Sequence, residues 1–175
     1  MLEARGLPVL DVDKLGYQAL ESEKEVIIAR FGEQCLTPAG DLRLLDRRQL
    51  GKIVFENPEK LAALEAIIHP VVNRLTEDWI NAQKGHCVIN AALLHRSSAF
   101  SRLNRMILVK APYLTRLLRA RRRDRLSWKE LIKRFASQKD FYTQYLSINA
   151  EIYIVENSGP RKLENQIDLF VKGIN

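Results

Sequence analysis

Four short apolar runs constrain what this chain can fold into more than any other feature. They are Leu7-Pro8-Val9-Leu10, Cys87-Val88-Ile89, Met106-Ile107-Leu108-Val109 and Ile152-Tyr153-Ile154-Val155. Each is continuously hydrophobic rather than alternating, and sequence of helical periodicity separates one from the next. Strands of that kind are buried on both faces, and strands joined through helices run parallel. The expected class is therefore α/β, a parallel sheet flanked by helices. The long helical stretch between the first and second runs adds a helical lobe to that core.

The helical segments carry their own start and stop signals. Asp13 to Phe31 reads as one helix through Leu15, Ala19, Leu20, Val26, Ile27 and Phe31, and Thr37-Pro38-Ala39-Gly40-Asp41 as a turn. Asp46 is placed to cap a helix bearing Leu50, Ile53 and Val54. Asn57-Pro58-Glu59 supplies a cap, a proline at the first position and an acid in the first turn. Leu61, Leu64, Ile67 and Ile68 follow until His69-Pro70 is expected to interrupt the helix, with a further one from Pro70 to Gln83. Pro112 opens a basic helix, and Ser127-Trp128-Lys129-Glu130 is a capping box that starts another. Leu163 to Val171 forms the last helix.

The net charge of +7 is concentrated in one place. Residues 110–139 hold eleven Lys/Arg against two acids, Asp124 and Glu130, whereas the rest of the chain holds seventeen bases and nineteen acids. A localised basic segment suits a site for phosphate groups better than a general nucleic-acid coat. Within it, Leu114, Leu117 and Leu118 lie on one side of a helix and Arg116, Arg119 and Arg123 on the other, while Arg134 and Gln138 are one turn apart. A helix-turn-helix of arginines between two strands is where a lid is expected. A solvated face or a nucleic-acid patch would give the same charge pattern. Cys35 and Cys87 lack metal spacing and read as two buried thiols of a reducing cytoplasm. No run is long and apolar enough for a membrane span or a secretory signal, so a cytoplasmic location and no membrane partner are expected.

The first run ends in Asp11-Val12-Asp13. Carboxylates at the carboxyl end of a strand lie where open α/β sheets bind ligands. Asp11 and Asp13 converge on one face if the strand continues that far; otherwise Asp13 is a cap for the following helix. A carboxylate there can orient or deprotonate an attacking hydroxyl, and guanidinium groups bind phosphate oxygens in pairs. Together they suggest phosphoryl transfer.

Five motifs in order resemble those of the dephospho-CoA kinase family. Val9-Leu10-Asp11-Val12-Asp13 resembles its V-I-D-A-D, and Asp46-Arg47-Arg48-Gln49-Leu50-Gly51-Lys52-Ile53-Val54-Phe55 its D-R-x-x-L-x-x-x-V-F. Leu64-Glu65-Ala66-Ile67-Ile68-His69-Pro70 resembles L-E-x-I-x-H-P, the most specific of the five. Arg134-Phe135-Ala136-Ser137-Gln138 resembles the lid's R-I-x-x-Q, and Glu156-Asn157-Ser158-Gly159 the D-N-S-G. The resemblance implies a P-loop kinase-like domain over residues 1–175, with a helical CoA-binding region at about 14–84 and a basic helical lid at about 112–139. It implies transfer of the γ-phosphate of ATP, with Mg²⁺ as co-substrate, to the 3′-hydroxyl of dephospho-CoA, the last step of coenzyme A synthesis. On it, Asp11 is the general base, and Asp13 and His69 shape the CoA-side pocket, although a His-Pro pair is also a common structural joint. Arg119, Arg123 and Arg134 clamp phosphates with Gln138 behind Arg134, and Asn157 and Gly159 lie near the adenine. None of these residues is assigned to a metal.

The departures are specific. Val88-Ile89-Asn90-Ala91-Ala92-Leu93-Leu94-His95-Arg96 stands where the family has V-V-D-I-P-L-L-F-E, so Asn90 and Arg96 replace acids. Arg125 stands where the family often has glycine at the lid turn. No G-x-x-x-x-G-K-[ST] phosphate loop occurs in the 175 residues. Met1 to Arg5 fit the end of a helix with Gly6 just beyond it, so the expectation is a kinase truncated at its N-terminus and inactive alone. The alternatives are a non-catalytic CoA-binding relative and, less favoured, a nucleic-acid binder acting through Arg121, Arg122 and Arg123.

Overall fold

All four expected strands form and pair in parallel, but as two separate ladders among the described residues. The computed structural model describes residues 1–37, 44–124, 126–136, 145 and 148–174, with only the backbone of 160 and 161. The chain divides into two compact units, residues 8–99 and residues 1–7 with 100–175.

In the unit of residues 8–99, strand β1 (Val9–Asp11) pairs with β2 (Val88–Asn90) in the register Val9↔Val88, Leu10↔Ile89 and Asp11↔Asn90. Helix α1 (Val12–Ser22) follows β1 without a loop, then α2 (Lys24–Phe31), α3 (Arg47–Phe55) and α4 (Pro58–Asn81). The single helix expected over Asp13 to Phe31 is thus two. At the junction Ser22 Oγ donates to the Ala19 carbonyl at 3.1 Å, and Glu23 leaves helical geometry. Serine competes with the backbone ladder in this way and bends helices. Gly32, at φ 85°, closes α2 in a conformation that L side chains rarely adopt.

The caps form where the sequence places them. Asp46 accepts from the N–H groups of Arg48 and Gln49 at 2.9 and 3.0 Å, and Asn57 from those of Glu59 and Lys60 at 2.9 and 3.1 Å. The expected interruption at His69-Pro70 does not occur: α4 runs through Pro70 for 24 residues. An internal proline removes one backbone bond, at about 3 kcal/mol. Apolar residues on both sides of it, from Leu61, Leu64, Ile67 and Ile68 to Val71, face packed neighbours, which outweighs that loss. Ile27, Ile28, Phe31, Cys35, Leu50 and Val54 form the core beneath this face. Burial raises the Cys35 thiol above its ordinary range. Cys87 is only partly covered, which corrects the expectation of two buried thiols, and neither cysteine is in a disulfide. Of the Thr37–Asp41 turn, residues 38–41 lie outside the described residues.

In the other unit, β3 (Arg105–Lys110) pairs along its whole length with β4 (Glu151–Glu156). Helix α5 (Tyr113–Asp124) and helix α6 (Trp128–Ala136) lie between them in sequence, and α7 (Pro160–Lys172) follows β4. Tyr153 on β4 meets Phe170 on α7 edge to face, with ring centroids 4.9 Å apart. Arg5 pairs with Asp168 of α7 at 2.6 Å, and Gly6, at φ 82°, ends the short Glu3–Arg5 turn. The capping box is present in full: Ser127 N–H donates to Glu130 Oε2 at 2.9 Å and Glu130 N–H to Ser127 Oγ at 3.3 Å. No helix among the described residues is long and apolar enough to cross a membrane.

Candidate functional site

The sequence-predicted residues divide between the two units. Asp11, Asp13 and His69 belong to residues 8–99; Arg119, Arg123, Arg134, Asn157 and Gly159 belong to the other unit. Gln138 and Arg125 lie outside the described residues.

Asp11 ends β1 and occupies the position just before α1, with its own side chain making no cap hydrogen bond. Its ladder partner is Asn90, so a carboxylate and a carboxamide end two adjacent parallel strands. Asp13 is exposed in the first turn of α1. The strand stops at Asp11, so the convergence expected of alternating strand residues does not arise. Nor is Asp13 the cap, because the helix has already begun at Val12. Its charge still favours the helix's positive end.

His69 is half-buried on α4, which packs against α1. The segment after β2 is tied to the same helix at two points. Arg96 Nη1 reaches Glu65 Oε1 at 2.7 Å, one turn ahead of His69, and Asn73 Oδ1 accepts from Ser98 N–H at 3.3 Å. Arg96, one of the two residues that stand in place of an acid, therefore complements a motif residue of α4 that an acid would repel. That use of Arg96 needed tertiary information and was not legible from the motif alone.

The arginine segment is a hairpin that uses several of its own cations. Arg116 lies over the Phe135 ring at 5.4 Å, and Tyr113 meets the same ring edge to face at 5.5 Å. Arg121 donates to the Leu126 carbonyl and lies 5.5 Å from the centre of the Trp128 ring. Arg123 grips Asp124 with two bonds, Nε to Oδ1 at 2.6 Å and Nη2 to Oδ2 at 3.0 Å. Arg134 reaches across from α6 to Asp124 Oδ2 at 2.9 Å. The structure therefore brings Arg123 and Arg134 together, around an acid that the sequence shows only as a lone negative charge in a basic run. The Arg123 guanidinium, hydrogen-bonded to it, holds the Asp124 carboxyl below its usual range, and Arg134 adds to the effect. Arg119 is exposed, with no hydrogen-bond or ion-pair partner among the described residues.

At the end of β4, Asn157 N–H donates to the Lys110 carbonyl at 2.6 Å. Gln166 of α7 brackets Glu156 by accepting from its N–H at 3.0 Å and donating to its carbonyl at 3.1 Å. Lys162 pairs with the Glu156 carboxylate at 2.7 Å and lowers its pKa. These contacts fix the loop to Gly159, the cap position of α7. Gly159 is in ordinary extended backbone, and a Cβ there would meet nothing within 4 Å. The fold of the described residues does not itself demand glycine at that position.

A separate cleft of about 390 Å³ in the helical unit is lined by Arg30, Gln34, Asn57 and Lys60 among others. It contains none of the predicted residues, and Asn57 is already engaged as a cap. Among the described residues no group of three or more His, Cys, Asp or Glu side chains is arranged to hold a metal ion.

Comparisons with known proteins bear on the family and the fold. A family model described as CoaE, dephospho-CoA kinase, matches residues 1–161. The dephospho-CoA kinase of Treponema pallidum is 32% identical over 91% of this chain and 79% of its own length. That of Helicobacter pylori is 30% identical over 98% of this chain and 87% of its own. The crystal structure of TT1252 from Thermus thermophilus superposes with a TM-score of 0.80 at 31% identity, covering 99% of this chain and 88% of that one. With a family model spanning most of its length and relatives of this closeness, the chain belongs to the dephospho-CoA kinase family.

Proposed function

We propose that this chain phosphorylates dephospho-CoA on its 3′-hydroxyl, with ATP as donor, and that the residues named above supply the acceptor side and the lid. The observation that carries the reading is Asp11, a carboxylate without a cap bond at the carboxyl end of a parallel strand in a chain of this family. In the reaction the 3′-oxygen forms a bond to the γ-phosphorus, the bond from that phosphorus to the β–γ bridging oxygen breaks, and ADP leaves. The hydroxyl proton passes to the Asp11 carboxylate, which also orients the attacking oxygen. Asp13 and His69 line the acceptor pocket, within a helical CoA-binding region at about 14–84. Arg119, Arg123 and Arg134, with Gln138, belong to a lid at about 112–139 that neutralises charge on the transferring phosphates and excludes water. Asn157 and Gly159 lie toward the adenine.

Mg²⁺ enters this account with the ATP phosphates, as co-substrate, with no resident metal site assigned. No G-x-x-x-x-G-K-[ST] sequence lies within the 175 residues, so cradling of the ATP phosphates is assigned to none of them. The basic segment is assigned to nucleotide phosphates and not to nucleic acid.

Titration of the isotopically labelled chain with dephospho-CoA, followed by amide NMR, tests the reading. Shifts concentrated at Asp11 to Leu15 and around His69 are expected. Shifts confined to the cleft at Arg30 and Lys60 would overturn the assignment.

A further inference from the structure

Resting on the reading of α5 and α6 as a phosphate lid, we propose that Asp124 is a positioning residue for phosphate recognition: its carboxylate, shared by Arg123 and Arg134, holds two guanidinium groups together for one incoming phosphate. The geometry separates this from a mere helix tie. Arg123 and Asp124 are neighbours in sequence, so their two bonds, at 2.6 and 3.0 Å, join no elements; what they fix is the direction of the Arg123 guanidinium. Only Arg134, at 2.9 Å, crosses from α6. The hairpin is already tied elsewhere, through Arg121 with Leu126 and Trp128 and through Phe135 with Tyr113 and Arg116.

Exposure points the same way. The Asp124 side chain is 19% exposed, while Arg123 and Arg134 are 72% and 50% exposed. The acid sits inside and the cations outside. Two guanidinium groups brought together repel each other, and a carboxylate between them offsets that repulsion. A guanidinium has more N–H donors than one carboxylate engages, so Arg123 retains donors for a phosphate while still holding Asp124. Rigid placement before binding removes ordering cost from the binding step.

The test uses the full chain with inorganic tripolyphosphate as probe, titrated calorimetrically at fixed ionic strength. Arg123→Gln and Arg134→Gln are expected to weaken binding. Asp124→Asn is expected to weaken it by about 3- to 5-fold, the scale of one partly exposed ion pair, with Asp124→Glu recovering part of the loss. In an Arg134→Gln background the Asp124→Asn effect on binding should shrink, because the shared partner is gone, and an unchanged effect would overturn the inference. Helical circular dichroism confirms that each variant folds, and if Asp124→Asn does not, the Asp124→Glu variant alone and in the Arg134→Gln background carries the same comparison. Asp124→Asn binding equal to or tighter than the unmodified chain, while the arginine variants weaken, means that Asp124 only competes with phosphate and refutes the inference alone. Unchanged binding in both arginine variants refutes the lid reading, and this inference with it.

Discussion

Asp11 and Asn90 are direct partners in the β1–β2 ladder, so the Asp11 carboxylate has a neutral carboxamide beside it at the carboxyl ends of two parallel strands. Neighbouring strands are about 4.8 Å apart, and paired residues project to the same face. The family's acid at the Asn90 position would have put two carboxylates together there.

Asn90→Asp restores that pair and should create affinity for a divalent cation, because hard cations are held by one or two carboxylates and waters. Mn²⁺ titration followed by electron paramagnetic resonance should show binding at least several-fold tighter than in the unmodified chain. Equal affinity would mean that the two side chains diverge.

Acid should loosen the lid hairpin. Arg123 and Arg134 hold the Asp124 carboxyl below the ordinary carboxylate range, and the bonds from Ser127 hold Glu130 below it as well. A depressed carboxyl contributes stability that is fully present above its unfolded pKa and is lost as pH falls through the folded one. Fluorescence of Trp128, which lies against Arg121, should therefore be constant at neutral pH and change only below about pH 4. Asp124→Asn should remove most of that change.

Pro70 lies inside α4, where its ring removes a backbone bond. Pro70→Ala should stabilise the chain by about 1 kcal/mol or more in urea unfolding, since alanine restores the donor and favours helix. A loss of stability would show that the packing of α4 depends on the proline ring.

Ile27 and Leu50 are 0% and 1% exposed at the centre of the helical core. Ile27→Ala or Leu50→Ala should cost about 2 to 5 kcal/mol in the same measurement, through lost transfer energy and the cavity left behind. A cost below about 1 kcal/mol would mean that the core collapses around the gap.

What was legible in the chain was mostly what is local. The caps at Asp46, Asn57 and Ser127 with Glu130 depend on residues within one turn, and all three form. The four strands were legible from their apolar runs, but their pairing into β1–β2 and β3–β4 depends on long-range contacts that periodicity does not encode. The same limit applies at Ser22 and Pro70: one helix divides at Glu23, beside a side-chain bond from Ser22 to Ala19, and packing on both sides carries another past a proline. In the candidate site, Asp11 followed from its place at a strand end. The coupling of Arg123 and Arg134 through Asp124 did not, because spacing along a helix shows which side chains share a face but not what they hold.

The central claim is that these residues form a binding site for dephospho-CoA, and calorimetric titration of the 175-residue chain with that compound tests it most directly. The account predicts one saturable site, weakened roughly fivefold or more by His69→Ala, the scale of about 1 kcal/mol of lost contact. Absence of saturable binding, or binding that His69→Ala and Asp13→Asn both leave unchanged, would contradict it.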